Sequence, residues 1–184
     1  MGFIHHVKEE FQIIQERDPS IKSPWEVLLY PSFKVMLTYR RAHKLYEKGH
    51  YFRARRLSQK AARKTGIEIH PGAVIGKGFF SGVIIGETAI VGDNVTLYQG
   101  VTLGGTGKET GKRHPTLGDN VMVSAGAKII GSFKIGENSK IGAGSVVIEE
   151  VPPNCTVVGV PGRIVKRDNV KMPRSDMDQC HLPD

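Results

Sequence analysis

Arg113 and His114 stand side by side in a polar, glycine-rich run from Gly105 to Pro115. A guanidinium fork grips a carboxylate at two points. An imidazole is the side chain whose ordinary basicity lets it exchange a proton near neutral pH. Three more groups could serve such a pair: Asp18 precedes Pro19, Glu68 lies two residues before His70, and His70 precedes Pro71. Each of the five also has a plainer explanation. Arg113 would be a solvated loop charge, His114 a surface or helix-capping histidine, Asp18 an ordinary turn residue before proline, Glu68 an exposed acid, and His70 a ring bonded to backbone. The choice depends on the elements that carry them.

Those elements are legible from glycine. Ile75-Gly76, Ile85-Gly86, Val91-Gly92, Leu103-Gly104, Leu117-Gly118, Ile135-Gly136 and Ile141-Gly142 repeat an aliphatic-glycine pair on a six-residue rhythm, with Ala125, Ala127, Ala143 and Ser145 between. Such a period is not helical. It describes a parallel β-solenoid whose inward aliphatics fill a narrow core while glycine and small residues take tight corners. The rhythm fails once, where Ile75 and Ile85 are ten residues apart around Gly78-Phe79-Phe80-Ser81-Gly82-Val83. It is interrupted once more by the run from Gly105 to Pro115, a loop thrown out of the coil at one level, where function tends to sit.

The first 65 residues read as helices. Ile4, Val7, Phe11 and Ile14 form an apolar stripe, Ser23-Pro24 supplies an N-cap with proline in the first turn, and further helices are expected over 33–47 and 51–65, separated by Gly49. Pro152-Pro153 and Val160-Pro161-Gly162-Arg163 end the coil. The expected organisation is a helical domain over 1–65, a β-helical domain over 66–165 and a flexible tail over 166–184.

The net charge is +8, and residues 40–64 hold ten basic side chains against the single acid Glu47, leaving 16 basic and 17 acidic residues elsewhere. Those cations alternate with Leu45, Tyr46, Phe52, Leu57 and Ala61 at helical spacing, which reads as a solvated helix face rather than a nucleic-acid or membrane surface. No apolar run is long enough to cross a membrane and residues 1–16 are too polar for a signal peptide, so a soluble cytoplasmic chain is expected. Cys155 and Cys180 have no metal-type spacing and read as free thiols.

Taken together, Leu103-Gly104-Gly105-Thr106-Gly107-Lys108, Arg113-His114-Pro115, Gly142-Ala143-Gly144-Ser145-Val146-Val147, Val160-Pro161-Gly162-Arg163, Gln15-Glu16-Arg17-Asp18-Pro19 and Ile69-His70-Pro71 resemble the serine O-acetyltransferases of the hexapeptide-repeat acyltransferase superfamily. The likeness covers nearly the whole chain, and the N-terminal part looks like the shorter form in that family. It implies a left-handed parallel β-helix after a helical domain, assembled as a homotrimer or a dimer of trimers. It also implies acetyl transfer from acetyl-CoA to the L-serine hydroxyl as the first step of cysteine synthesis, without a metal.

By resemblance, Arg113 binds the serine carboxylate, His114 touches and orients serine, and Asp18 binds its ammonium group. Glu68 stands where the family has a carboxylate that partners the catalytic histidine. Gly104, Gly105, Ala125 and Ala143 would let a pantetheine arm lie on the backbone, with Lys108 meeting a CoA phosphate. The resemblance breaks between Phe80 and Ser81. There the family carries a short segment with an Asp-His pair, its histidine the general base, and neither residue is present.

That gap leaves a catalytically impaired scaffold as the alternative, beside another acetyltransferase of the superfamily. A β-helical zinc carbonic anhydrase is disfavoured, since only His70 and His114 lie in the coil. Family members bind O-acetylserine sulfhydrylase through a C-terminal tail ending in isoleucine; this chain ends Cys180-His181-Leu182-Pro183-Asp184.

Overall fold

The computed structural model describes residues 3–107 and 110–173. Three α-helices come first: α1 (Phe3–Arg17), α2 (Pro31–Glu47) and α3 (Tyr51–Thr65), with a 3-10 turn over Pro24–Leu29. Gly66, left-handed at φ 69°, ends α3 and turns the chain into the coil.

The coil makes five turns, four of three short strands each and a fifth of two strands and a bridge. The first holds β1 (Glu68–Ile69), β2 (Val74–Ile75) and β3 (Gly78–Phe80); the second β4 (Ile84–Ile85), β5 (Ile90–Val91) and β6 (Val95–Leu97). The third holds β7 (Thr102–Gly104), β8 (Thr116–Leu117) and β9 (Met122–Val123), and the fourth β10 (Lys128–Ile130), β11 (Lys134–Ile135) and β12 (Lys140–Ile141). The fifth runs from β13 (Val146–Val147) through a bridge at Val151 to β14 (Cys155–Val158). Corresponding strands stack in parallel into three faces: β1-β4-β7-β10-β13, β2-β5-β8-β11, and β3-β6-β9-β12-β14. β15 (Arg163–Arg167) and β16 (Val170–Lys171) then extend the third face antiparallel, so that β15 crosses residue 165.

One inward residue per strand builds the core. Ile69, Ile85, Leu103, Ile129 and Val147 line one face and Phe80, Leu97, Val123, Ile141 and Val157 another, all nearly inaccessible to solvent. Each is worth roughly 1.5–3 kcal/mol of apolar burial.

Register explains the break in the rhythm. Ile85 pairs with Leu103 and Ile129 with Val147, each eighteen residues on, whereas Ile69 pairs with Ile85 after only sixteen. Phe80 fills the inward place between Ile75 and Ile85, five residues from each, and is fully buried. The first turn is thus one residue short at two corners and still closes, with the Phe80 ring at its core level. The last turn closes after sixteen as well, where Ile141 pairs with Val157.

The helices dock on the first turn. Tyr39 donates to the Ala73 carbonyl at 2.6 Å, Arg40 to the carbonyls of Ile75 and Gly76, and Ser58 to that of Ile69 at 2.6 Å. Val7, Phe11, Ile14, Val27, Phe33 and Phe79 form a second apolar cluster, through which α1 rests on β3.

Candidate active site

The corner between the first and second faces is where the chemistry-bearing residues gather. Main-chain bonds stack His70 over Gly86 and Gly86 over Gly104 in successive turns, since His70 N–H bonds the Ile85 carbonyl and Gly86 N–H that of Leu103. The first turn therefore presents His70 at this corner and the second Glu87 and Thr88. The third turn, instead of turning, throws out the run from Gly105 to Pro115. That loop folds back so that Lys112, Arg113 and His114 lie against the second turn.

The contacts are specific. Arg113 Nη2 donates to Glu87 Oε2 at 2.5 Å, and Tyr46 of α2 donates its hydroxyl to Glu87 Oε1 at 2.7 Å. The Thr88 hydroxyl oxygen accepts the main-chain N–H groups of Arg113 and His114 at 3.0 and 3.1 Å and lies 2.9 Å from His114 Nδ1. Thr88 N–H donates to that same Nδ1 at 3.2 Å. Lys112 Nζ closes the turn by donating to the carbonyls of Thr88 and His114. Gly86 is required here: any Cβ on it would lie inside the His114 ring. Likewise, a Cβ on Gly105 would stand 3.0 Å from the Arg113 carbonyl oxygen.

Electrostatics follow from these contacts. Bonds from Tyr46 and Arg113 hold the Glu87 carboxyl below its ordinary range, and the same bond pushes the Tyr46 phenol up to about 12. Burial, then the charges of Arg113 and Lys112, lower His114; burial and Arg55 lower His70. Both shifts favour the neutral imidazole. Gly72 N–H donates to His70 Nδ1 at 3.0 Å, and the Tyr46 ring meets His70 edge-on at 5.6 Å.

This chain resembles catalogued proteins along its length. Residues 114–149 match the family model for bacterial transferase hexapeptide (six repeats). Serine acetyltransferase of Synechococcus elongatus is 53% identical over 180 residues, which is 95% of this chain and 73% of that protein. The chain belongs to the serine acetyltransferase family.

Two solved members share its fold. Serine acetyltransferase of Neisseria gonorrhoeae in complex with serine superposes with a TM-score of 0.81 at 41% identity, over 87% of this chain and 68% of that one. The Brucella abortus serine acetyltransferase in complex with coenzyme A gives 0.83 at 42%, over 90% and 68%. The coil is accordingly the left-handed β-helix of hexapeptide repeats.

Within this serine acetyltransferase fold the expected residues separate into groups. Arg113 and His114 come together, with His70 one turn away. Asp18 lies elsewhere, after α1, accepting from Ser20 N–H at 2.9 Å and the Tyr30 hydroxyl at 2.5 Å, bonds that lower its carboxyl. Glu68 faces outward from β1 and meets Gln59 at 3.1 Å and Arg55 at 4.0 Å; no histidine is among its described partners. Ala125 and Ala143 stack at the corner entering the first face, where Gly144 N–H bonds the Ala125 carbonyl, while Gly104 and Gly105 leave that face. Lys108 and Cys180 lie outside the described residues, as do 174–184, and Cys155 is a buried free thiol.

Sequence reasoning missed Glu87, Thr88 and Tyr46. The register carried a signal for the first two, because Gly86-Glu87-Thr88 occupies the corner directly above the extruded loop. Tyr46 left no signal, since it arrives from a separate helix. Among the described residues no three His, Cys, Asp or Glu side chains are grouped to hold a metal, and no described helix is long and apolar enough to cross a membrane.

Proposed function

We propose that this chain binds L-serine and acetyl-CoA and transfers the acetyl group to the serine hydroxyl, giving O-acetyl-L-serine and CoA, without a metal. The observation that carries the reading is the Arg113-His114 turn clamped on Glu87 and Thr88 within a family fold whose solved members include a serine and a coenzyme A complex. Arg113 grips the carboxylate and His114 orients the substrate; Asp18, which the resemblance assigns to the ammonium group, sits apart from them after α1, bonded to Ser20 and Tyr30. Glu68 is the carboxylate that the resemblance pairs with a catalytic histidine; its described contacts are Gln59 and Arg55, and the acid bonded to Arg113 is Glu87. The pantetheine arm lies along the first face between Ala125, Ala143, Gly104 and Gly105, with Lys108 toward a phosphate.

In the reaction the serine oxygen forms a bond to the thioester carbon, the carbon–sulfur bond breaks, and the hydroxyl proton must pass to a base. Both coil histidines use Nδ1 to accept a main-chain N–H. A neutral imidazole in that state carries its proton on Nε2 and keeps no lone pair for base catalysis. The family's Asp-His segment is absent at Ser81-Gly82, a corner one residue shorter than its counterpart Tyr98-Gln99-Gly100. On this reading serine-dependent transfer is slow while binding is retained, and a binding scaffold is the second reading.

Val74 and Ile90, paired on β2 and β5, are 53% and 40% exposed, an outward aliphatic strip suited to a homotrimer or dimer of trimers. O-acetylserine sulfhydrylase and a cytoplasmic location complete the proposal. Calorimetry of serine and CoA binding beside a CoA-release assay tests it. Binding of both with slow release is expected; absence of serine binding removes the reading.

A further inference from the structure

We propose that Thr88 is the positioning residue of this site, fixing His114 as an Nε2–H donor aimed at an anionic ligand group. Donor and acceptor counting carries the argument. The Thr88 hydroxyl oxygen already accepts two N–H groups, from Arg113 at 3.0 Å and His114 at 3.1 Å. Both lone pairs are thereby used, and its own hydrogen is left to donate. The acceptor within reach is His114 Nδ1 at 2.9 Å. Thr88 N–H reaches the same nitrogen at 3.2 Å. A proton on Nδ1 would face one N–H donor and one hydroxyl with no lone pair to offer, so that tautomer and the imidazolium are both disfavoured.

His114 is 8% exposed and its ring lies flat on Gly86, which leaves no rotation by which Nδ1 could escape. The charged groups around it are Lys112, Arg113 and Glu87, with His70 one turn away; the two cations and burial act with Thr88 to keep the ring neutral, while Glu87 opposes them. Thr88 also sets where Arg113 leaves the main chain, so one side chain orients both halves of the turn. That the anion is an α-amino carboxylate rests on the function proposed above; the tautomer does not.

The full-length protein, labelled with 15N-histidine, tests this by NMR in parallel with calorimetry of L-serine. The expected result for the parent chain is an unprotonated Nδ1 and protonated Nε2 on His114, persisting below the pH at which an ordinary histidine titrates. Thr88→Val removes the hydroxyl at nearly constant shape. It should raise the fraction of the Nδ1–H form or the imidazolium, with the main-chain N–H of residue 88 still opposing both, and weaken serine binding about ten-fold; Thr88→Ser should restore the tautomer and the affinity. A protonated Nδ1 in the parent chain overturns the proposal without need of any variant, as does Thr88→Val with tautomer and titration unchanged. If serine fails to bind while the parent tautomer is as expected, the functional reading falls and the positioning role stands.

Discussion

Two corners of the same coil do different work. Between the second and third faces, Asn94, Asn120, Asn138 and Asn154 occupy equivalent positions in four successive turns, each left-handed at φ 58–59°. Their side chains form a ladder, Asn94 donating to Asn120 at 2.7 Å, Asn120 to Asn138 at 3.1 Å and Asn138 to Asn154 at 3.1 Å, and Arg17 of α1 bonds the Asn94 end. Asparagine tolerates that backbone where most residues do not. Between the first and second faces, by contrast, successive turns carry His70, then Glu87-Thr88, then an extruded loop. In a stack where each turn contacts only its neighbours, repetition of one residue marks the part that holds the fold. Its interruption marks the part where the fold has been spent on chemistry.

The sharpest way to break that contrast is to change a corner's chemistry without touching the ladder. On the proposed reading, inserting four residues that include Asp-His between Phe80 and Ser81 supplies a missing base, and a positioned base contributes roughly 100- to 10,000-fold. Serine-dependent CoA release should rise by at least the lower figure; an unchanged rate would show that the shortened corner is not what limits transfer. Next in size is Arg113→Ala, which on the proposed reading removes a charge-assisted grip on serine worth about 1.5–3 kcal/mol. Serine binding should weaken ten- to a hundred-fold with CoA binding intact, and equal loss of both would move Arg113 from the serine site to the turn's framework.

The contrast also explains what was legible in the sequence. The repeating parts were: the aliphatic-glycine rhythm set the coil and its faces, and the helix over 51–65 is α3 as expected. The non-repeating parts were legible only in fragments. Arg113 and His114 stood out because a polar run interrupts the rhythm, yet nothing local connected them to Glu87 and Thr88, some 26 residues earlier in the chain. The ten-residue step at Phe80 looked like a defect, because a six-residue count cannot anticipate that a sixteen-residue turn stacks on one of eighteen with Phe80 inward. Tyr46, delivered by tertiary docking of α2, had no trace in its neighbourhood.

The helical cap adds a pH test. Glu10 is 3% exposed beside Arg40, 3.8 Å away, and burial raises its carboxyl to about 7 against the opposing pull of Arg40. A carboxyl raised on folding stabilises the fold below its unfolded value near 4.5 and loses that contribution as pH climbs through about 7. Stability of α1 on the coil should therefore fall by up to about 3 kcal/mol between pH 4.5 and 8. Glu10→Gln should flatten the profile in urea unfolding at the two pH values, whereas the uncharged ladder adds no slope. A slope retained in the glutamine variant would assign the pH dependence to another group.

The smallest expected effect tests the ladder itself. Asn138 donates to Asn154 and accepts from Asn120, and it holds φ 59°. Asn138→Ala places a Cβ-bearing residue without a compensating side-chain bond in that backbone and removes two exposed hydrogen bonds, costing about 2 kcal/mol. Asn138→Gly relieves the backbone term while leaving the bonds broken, so it should cost about 1 kcal/mol. Denaturant midpoints order the two variants. Equal losses would mean that the side-chain bonds alone fix this corner, and a larger loss for glycine would reverse the assignment, making backbone entropy rather than left-handed strain the quantity that asparagine controls. Serine and CoA binding should stay unchanged in both variants, because the ladder and the Arg113 corner share no hydrogen bond among the described residues.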